Sequence, residues 1–206
     1  MISHKKKFIF IHIPKSGGTS LSYAFLNHGI VLQGDRNFES IYFKHIDALN
    51  LKEKLGDEFD KYFKFTIVRN PFDWCVSNYT FNRGLHRPYV KGTNFEVSKK
   101  PPSQFRNMSF EEWLPWWLET FNPSMKRMII DEQENVLVDY IEKYENLKKE
   151  YYKLCLKLKL FPFRKLPHKN RRKKEHFSTF YNKNSIPLVT SYFKEEFKMF
   201  KYPIDL

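Results

Sequence analysis

The sequence predicts an α/β fold of three layers, in which helices flank a central parallel sheet. Short apolar runs rich in β-branched and aromatic residues alternate along the chain with segments of helical periodicity. Such alternation is typical of a parallel sheet covered on both faces. The chain has 206 residues, of which 41% are hydrophobic and 18% aromatic, so it can bury a substantial core. This length predicts a single domain over residues 1–206.

Four segments have the character of strands. They are residues 8–13, 41–44, 63–68 and 136–141. Each is short and apolar, and Pro14 ends the first one. In sheets of this kind, ligands bind beyond the carboxyl ends of the parallel strands. We therefore expect functional side chains directly after the strands.

Helical patterns occupy most of the remaining chain. They cover residues 19–27, 51–63, 71–81, 109–121, a long segment from residue 146, and 185–200. Ser109 and Glu112 have capping-box spacing, whereas Pro115 is expected to kink or split its helix. Residues 84–108 have no periodicity and are predicted to be a loop, so that 84–128 form a loop and helical insertion. The tryptophans of this insertion have helical spacing, which favours core packing over sugar stacking.

The net charge of +13 at pH 7 favours an anionic partner, such as a nucleotide, nucleic acid, an acidic glycan or anionic lipid. A merely basic surface is the alternative. Cys75 and Cys155 lie in predicted helices and give neither metal-ligand spacing nor a disulfide framework, which fits a reducing cytoplasm. The apolar run at 8–13 is too short for a signal peptide, and no stretch approaches the ~18 apolar residues of a membrane span.

The sequence PKSGGTS follows the first predicted strand and has the composition of a phosphate-binding loop. Gly17 and Gly18 permit positive φ, so that backbone amides can converge on an anion. Thr19 and Ser20 open the next helix, whose N-terminus favours negative charge, and Lys15 adds an ammonium group. The loop is not a Walker A motif, because its lysine precedes the glycines. An ordinary tight strand-to-helix turn is the alternative.

The second and third predicted strands also end in polar side chains. His45 follows the second strand, and histidine titrates near neutral pH, as a general base must. Arg69 follows the third strand and can grip a phosphate in bidentate fashion. Because that strand ends in an arginine rather than a carboxylate, we expect an anion that is handled without a metal ion.

Two of these segments resemble known motifs. FIHIPKSGGTSL resembles the 5′-phosphosulfate loop of sulfotransferases that use 3′-phosphoadenosine 5′-phosphosulfate (PAPS), and FTIVRNPFDWCVSNY resembles their 3′-phosphate motif. The likeness is to the carbohydrate branch, which includes the Golgi heparan 2-O-sulfotransferases and many short bacterial members. It is strong over residues 8–82 and weaker at YIEKYENL and LPHKNRRKK. The resemblance implies a P-loop-like fold and transfer of a sulfuryl group from PAPS, without a metal, to a carbohydrate hydroxyl.

The resemblance also implies roles for individual residues. The 5′-phosphosulfate would be held by Lys15, Ser16, Gly17, Gly18, Thr19 and Ser20, the 3′-phosphate by Arg69 and Ser77, and the 3′-phosphate and adenine would be covered by Asn170, Arg171 and Arg172. His45 would be the base, with a structural or substrate-binding role as the alternative and Asp47 and Glu39 as weaker candidates. The late basic run could instead be a solvated surface or bind an acidic glycan.

Two other functions stay open from the residues alone. A nucleotide phosphotransferase would need Mg²⁺ and a carboxylate to hold it. A basic nucleic-acid-binding module would fit the net charge but would leave the phosphate-binding loop unexplained, and the sequence contains no nucleic-acid motif. For the sulfotransferase, residues 84–128 would contact the acceptor, which would be a capsule, lipopolysaccharide or oligosaccharide. The short chain further suggests a bacterial cytoplasmic enzyme.

Overall fold

A computed structural model describes residues 1–30, 32, 45–83, 107–167 and 175–206. The chain divides into two compact units, the first formed by residues 1–70 and 124–171, the second by residues 71–123 and 172–206. The predicted strand at 41–44 and most of the predicted loop at 84–108 lie outside the described residues.

The first unit contains a four-stranded sheet in the order β1-β2-β3-β4. The strands are β1 (Ile2–Ser3), β2 (Phe8–Ile11), β3 (Phe63–Val68) and β4 (Tyr140–Lys143). Strands β2, β3 and β4 are mutually parallel, whereas β1 pairs with β2 in the antiparallel sense. The mostly parallel sheet with helices confirms the predicted α/β class, and β1 is an edge strand that the sequence analysis missed.

The described residues of the first unit form three α-helices, α1 (Gly18–Asn27), α2 (Ala48–Leu55) and α5 (Leu147–Lys157). Side chains alternate between the two faces of a strand, so β2 directs Phe8 and Phe10 to one face. That face shares one core with α1 and α5, which contains Phe8, Phe10, Leu21, Phe25, Phe65, Ile67, Tyr151 and Leu154. This packing fixes the start of α1 directly beyond the end of β2, where the phosphate-binding loop was predicted.

The second unit is helical and contains α3 (Pro71–Asn82), α4 (Phe110–Phe121), α6 (Ser185–Tyr192) and α7 (Lys194–Met199). Its core is largely aromatic. Trp113 and Trp117 of α4 stack with their ring centroids 4.8 Å apart, and Trp74 of α3 meets Trp117 at 5.5 Å. Trp113 and Trp117 are buried, so their helical spacing is that of a core stripe.

Helix α4 begins with the predicted capping box. The Ser109 hydroxyl accepts a hydrogen bond from the Glu112 amide, and the Glu112 carboxylate accepts one from the Ser109 amide. Pro115 was expected to kink or split this helix; it does not split it, because α4 runs unbroken from residue 110 to 121. Pro115 lies on the exposed face, where water can reach the carbonyl that loses its partner, while buried Trp113 and Trp117 anchor the opposite face.

Two element boundaries differ from the prediction because of local backbone geometry. Helix α2 ends at Leu55 rather than residue 63, since Gly56 adopts a φ of +51° and a 3₁₀ segment, Gly56–Lys61, follows. The last predicted helix is divided into α6 and α7 at Phe193, a buried residue with ψ of 23° that packs on Trp74. In both places one residue leaves the helical conformation within an otherwise helical pattern.

Strand β4 lies later in the chain than predicted. Residue Val136 is 46% exposed and forms only an isolated bridge with Ile130. The Asp131 carboxylate accepts hydrogen bonds from the amides of Gln133 and Asn135, so this stretch is a turn. The ladder with β3 starts at Tyr140, where the chain reaches the buried sheet.

Candidate functional site

The PKSGGTS loop lies at the carboxyl end of β2 and leads into α1. Lys15 adopts a φ of +65° and Gly17 a φ of +83°, so the chain reverses sharply between strand and helix. The amides of Ser20 and Leu21 donate to the Gly17 carbonyl at 3.0 and 3.3 Å, which closes the first turn of α1. The amides that precede them have no carbonyl partner inside the helix, and with the helix dipole they make this end suited to an anion.

Both glycines of the loop are required by close packing. A Cβ atom on Gly17 would lie 2.8 Å from Leu147 Cδ2 and 2.9 Å from Tyr144 Cδ2. A Cβ atom on Gly18 would lie 2.0 Å from both Cδ2 and Nε2 of His12. The loop therefore packs closely against side chains of two other segments, and these contacts constrain its backbone in addition to the turn.

Ser16 is the most deeply buried polar residue of the loop. It is only 1% exposed, and its Oγ has no hydrogen-bond partner among the described residues. Buried hydroxyls are nearly always paired, so an unpaired one at the start of a helix is a feature of a site that accommodates a polar ligand. A phosphate or sulfate oxygen is an acceptor of the required kind.

Arg69 joins the end of β3 to this loop. Its Nη1 donates to the Lys15 carbonyl at 2.8 Å, and its guanidinium carbon lies 4.4 Å from the centre of the Tyr144 ring. The next amide, that of Asn70, donates to Glu145 Oε1 at 2.9 Å. Because Tyr144 and Glu145 follow β4, these contacts bring together the carboxyl ends of all three parallel strands.

His45 lies beside the same loop and contacts His12, the residue that follows β2. Its Nδ1 is 2.9 Å from the His12 carbonyl oxygen, and the two imidazole centroids are 4.5 Å apart. A carbonyl oxygen can only accept a hydrogen bond, so Nδ1 of His45 carries the proton. In the neutral ring the lone pair is then on Nε2, which makes Nε2 the atom that can accept a proton.

His12 and Tyr144 are the residues of this site that the sequence analysis did not assign to it. His12 is buried, covers Gly18 and stacks on Phe10 with ring centroids 5.5 Å apart. Tyr144 packs on Arg69 and borders Gly17. Each directly follows a strand, so the rule that places chemistry at strand ends could have identified both.

The structure gives the other predicted residues different settings. The Asp47 carboxylate caps α2 by accepting from the Asn50 amide at 2.8 Å, so Asp47 has a structural role there. Ser77 is buried within α3 of the second unit. Glu39 lies outside the described residues, as do Asn170, Arg171 and Arg172 of the late basic segment.

Within the described part of the chain, no group of three or more His, Cys, Asp or Glu side chains is arranged to hold a metal ion. Among the helices of the described ranges, none has the length and apolar character that crossing a membrane requires.

Comparison with known proteins gives one result. The model of the sulfotransferase family matches residues 1–203, which is nearly the whole chain. No curated protein and no solved structure matches the chain.

Proposed function

Because the chain belongs to the sulfotransferase family, we propose that it moves the sulfuryl group of PAPS to a hydroxyl of a carbohydrate acceptor by in-line displacement. Sulfuryl transfer is the activity of the family, whereas the carbohydrate acceptor rests on the sequence resemblance. The main support is the hydrogen bond from Arg69 to the Lys15 carbonyl. It brings together the two segments that resemble the 3′-phosphate and 5′-phosphosulfate motifs.

The loop residues suit the phosphosulfate end of the co-substrate. We assign its binding to Lys15, Ser16, Gly17, Gly18, Thr19 and Ser20. The unpaired Ser16 hydroxyl, the Lys15 ammonium and the first amides of α1 are all hydrogen-bond donors, which is what a phosphosulfate needs. Arg69 and Ser77 are assigned to the 3′-phosphate, and Asn170, Arg171 and Arg172 to the cover over the nucleotide, on the strength of the sequence resemblance.

His45 is the proposed general base. Its Nδ1–H is held by the His12 carbonyl, so Nε2 can take the proton from the acceptor hydroxyl. PAPS supplies the sulfuryl group, and adenosine 3′,5′-bisphosphate is the product that leaves. Lys15 and the N-terminus of α1 stabilise the negative charge that develops on the departing phosphate oxygen. The residues of this scheme complete the transfer without a covalent enzyme intermediate or a metal ion.

The acceptor and the location are proposed from the likeness to short bacterial members of the carbohydrate branch. The acceptor would be a hydroxyl on a capsule, lipopolysaccharide or oligosaccharide, and residues 84–128 would contact it. The enzyme would act in the bacterial cytoplasm.

Calorimetry with adenosine 3′,5′-bisphosphate tests the co-substrate. We expect tight binding that EDTA does not change, and no binding of ATP with Mg²⁺. Binding of ATP only with Mg²⁺ would instead indicate a phosphotransferase. Salt-sensitive binding of unrelated oligonucleotides, without binding of the bisphosphate, would indicate a nucleic-acid-binding module.

Two substitutions then test the residue roles. His45→Ala should retain affinity for adenosine 3′,5′-bisphosphate and lose sulfuryl transfer, because it removes the base and leaves the loop intact. Loss of bisphosphate binding in that variant would mean that His45 has a different role. His176→Ala, which changes an exposed histidine in the second unit, is the matched control and should transfer normally.

A further inference from the structure

A second cluster of basic residues lies at the opposite end of the sheet from the phosphate-binding loop. The turn between β1 and β2 presents Lys5, Lys6 and Lys7, and the end of α5 presents Lys157 and Lys159. These five lysines, with Phe63 and Leu158, line a cleft of about 380 Å³. Phe63 is the first residue of β3, so the cleft is at the amino ends of the parallel strands.

Backbone and ring contacts hold three of the five lysine side chains in place. Lys6 Nζ donates to the Lys159 carbonyl at 3.4 Å, which joins the turn to the segment after α5. Lys157 Nζ lies 4.5 Å from the centre of the Phe63 ring, and Lys7 Nζ lies 4.9 Å from that of Tyr62. The cluster therefore has a defined arrangement and is more than a random excess of surface charge.

Arg164 extends the positive surface. Burial lowers the pKa of His28, and the positive charges of Arg164 and Lys6 lower it further, so both cations act on the same side chain. Among the described residues that line the cleft, none is acidic. Glu58 interacts with Lys7 and is paired with Lys61.

Two exposed aromatic side chains lie between Lys159 and Arg164 in the chain. In the segment 157–165, Leu158 and Leu160 are buried in the core, whereas Phe161 is 62% exposed and Phe163 is 48% exposed. Their ring centroids are 5.0 Å apart, so the two rings form one apolar projection in the segment that carries Lys159 and Arg164. Large side chains that stay outside an available core are typical of an interaction surface.

We propose that this basic aromatic patch (Lys5, Lys6, Lys7, Lys157, Lys159 and Arg164 with Phe161 and Phe163) docks the protein on an anionic lipid bilayer. Clustered cations are attracted to anionic headgroups, and adjoining aromatic side chains enter the boundary between headgroups and acyl chains. An acidic polymer would match the charge but would give the two phenylalanine rings no apolar phase. Because the patch and the phosphate-binding loop are at opposite ends of the sheet, docking leaves the loop facing away from the membrane.

Vesicle sedimentation tests the patch. Wild-type protein should bind vesicles of equal parts phosphatidylglycerol and phosphatidylcholine, and should not bind phosphatidylcholine alone. The variant Lys5→Gln/Lys6→Gln/Lys157→Gln should bind about a hundredfold more weakly, at roughly fivefold for each charge. The control Lys52→Gln/Lys194→Gln/Lys198→Gln removes the same charge from exposed sites elsewhere and should change binding no more than about threefold.

A second variant, Phe161→Ser/Phe163→Ser, separates lipid from other anions. We expect it to lose at least about tenfold in vesicle affinity, whereas its affinity for heparin should equal that of the wild-type protein. The proposal would be overturned if the wild-type protein did not bind the anionic vesicles, or if the patch and control variants lost the same affinity. It would also be overturned if heparin, duplex DNA and vesicles bound equally well and the phenylalanine substitutions changed none of these affinities. Circular dichroism and binding of adenosine 3′,5′-bisphosphate test whether each variant is folded. Neither measurement requires vesicles.

Discussion

Replacing Gly18 by alanine tests the close packing between the loop and His12. The new Cβ would lie 2.0 Å from two atoms of the His12 ring, far inside contact distance, and His12 is buried and cannot move freely. Overpacking of this kind costs about 3 kcal/mol, at the upper end of the usual range. For a chain of this length that corresponds to a fall in Tm of roughly 6–12 °C.

Calorimetric or urea-induced unfolding measures this cost, and a second variant shows its cause. In Gly18→Ala/His12→Ala the ring is gone, so the alanine fits and the double variant should be no less stable than His12→Ala alone. Gly29→Ala is the control: Gly29 has a φ of +69° with nothing within 4 Å of a Cβ, so it should cost only about 1 kcal/mol of backbone strain. If Gly18→Ala were as stable as wild type, the contact with His12 would not exist as described.

Three further predictions concern stability and reactivity. Lys15→Gly should relieve the backbone strain of a φ of +65° and raise the free energy of unfolding by at least about 1 kcal/mol, yet it should abolish sulfuryl transfer. Lys201→Gly, at a residue with a φ of +52°, should also raise the free energy of unfolding but should leave sulfuryl transfer unchanged. Burial lowers the pKa of His28, so the native state binds protons less readily than the unfolded state. The free energy of unfolding should therefore fall as pH drops below about 6.5. Urea titrations at several pH values should show a weaker pH dependence for His28→Gln. Burial raises the pKa of both Cys75 and Cys155, so neither thiol should react with Ellman's reagent until urea is added; rapid native labelling would contradict their burial.

Elements that depend on local pattern could be predicted from the sequence. Strand β3 lies at residues 63–68 as predicted, because Phe63, Phe65 and Ile67 alternate with Lys64 and Thr66 in the two-residue period of a strand. Helix α3 starts at Pro71, and α4 starts with its capping box, because both signals act within a few residues. These parts of the fold need no information from distant segments.

Features that depend on distant segments could not be predicted. β1 has only two residues and exists because it pairs with β2, which no local pattern reveals. The sequence predicts a site at strand ends; Lys15 and Arg69 follow β2 and β3, and His45 contacts His12 at the end of β2, whereas the strand predicted before His45 lies outside the described residues. Their partners His12 and Tyr144 also follow strands, but the contacts of these two residues with Gly18 and Arg69 depend on packing between segments, which the sequence pattern does not show.

The aromatic row that begins inside the sheet has a consequence for how this protein tolerates mutation. Phe65 stacks on Phe10 at 4.9 Å, Phe10 on His12 at 5.5 Å, and His12 meets His45 at 4.5 Å. The proposed base, His45, is thus the last member of a row of stacked rings that starts at Phe65 in the hydrophobic core. A conservative substitution of Phe65, which does not contact the substrate, would shift the His45 imidazole through this row. The rate of sulfuryl transfer should therefore fall at substitutions that still allow the chain to fold.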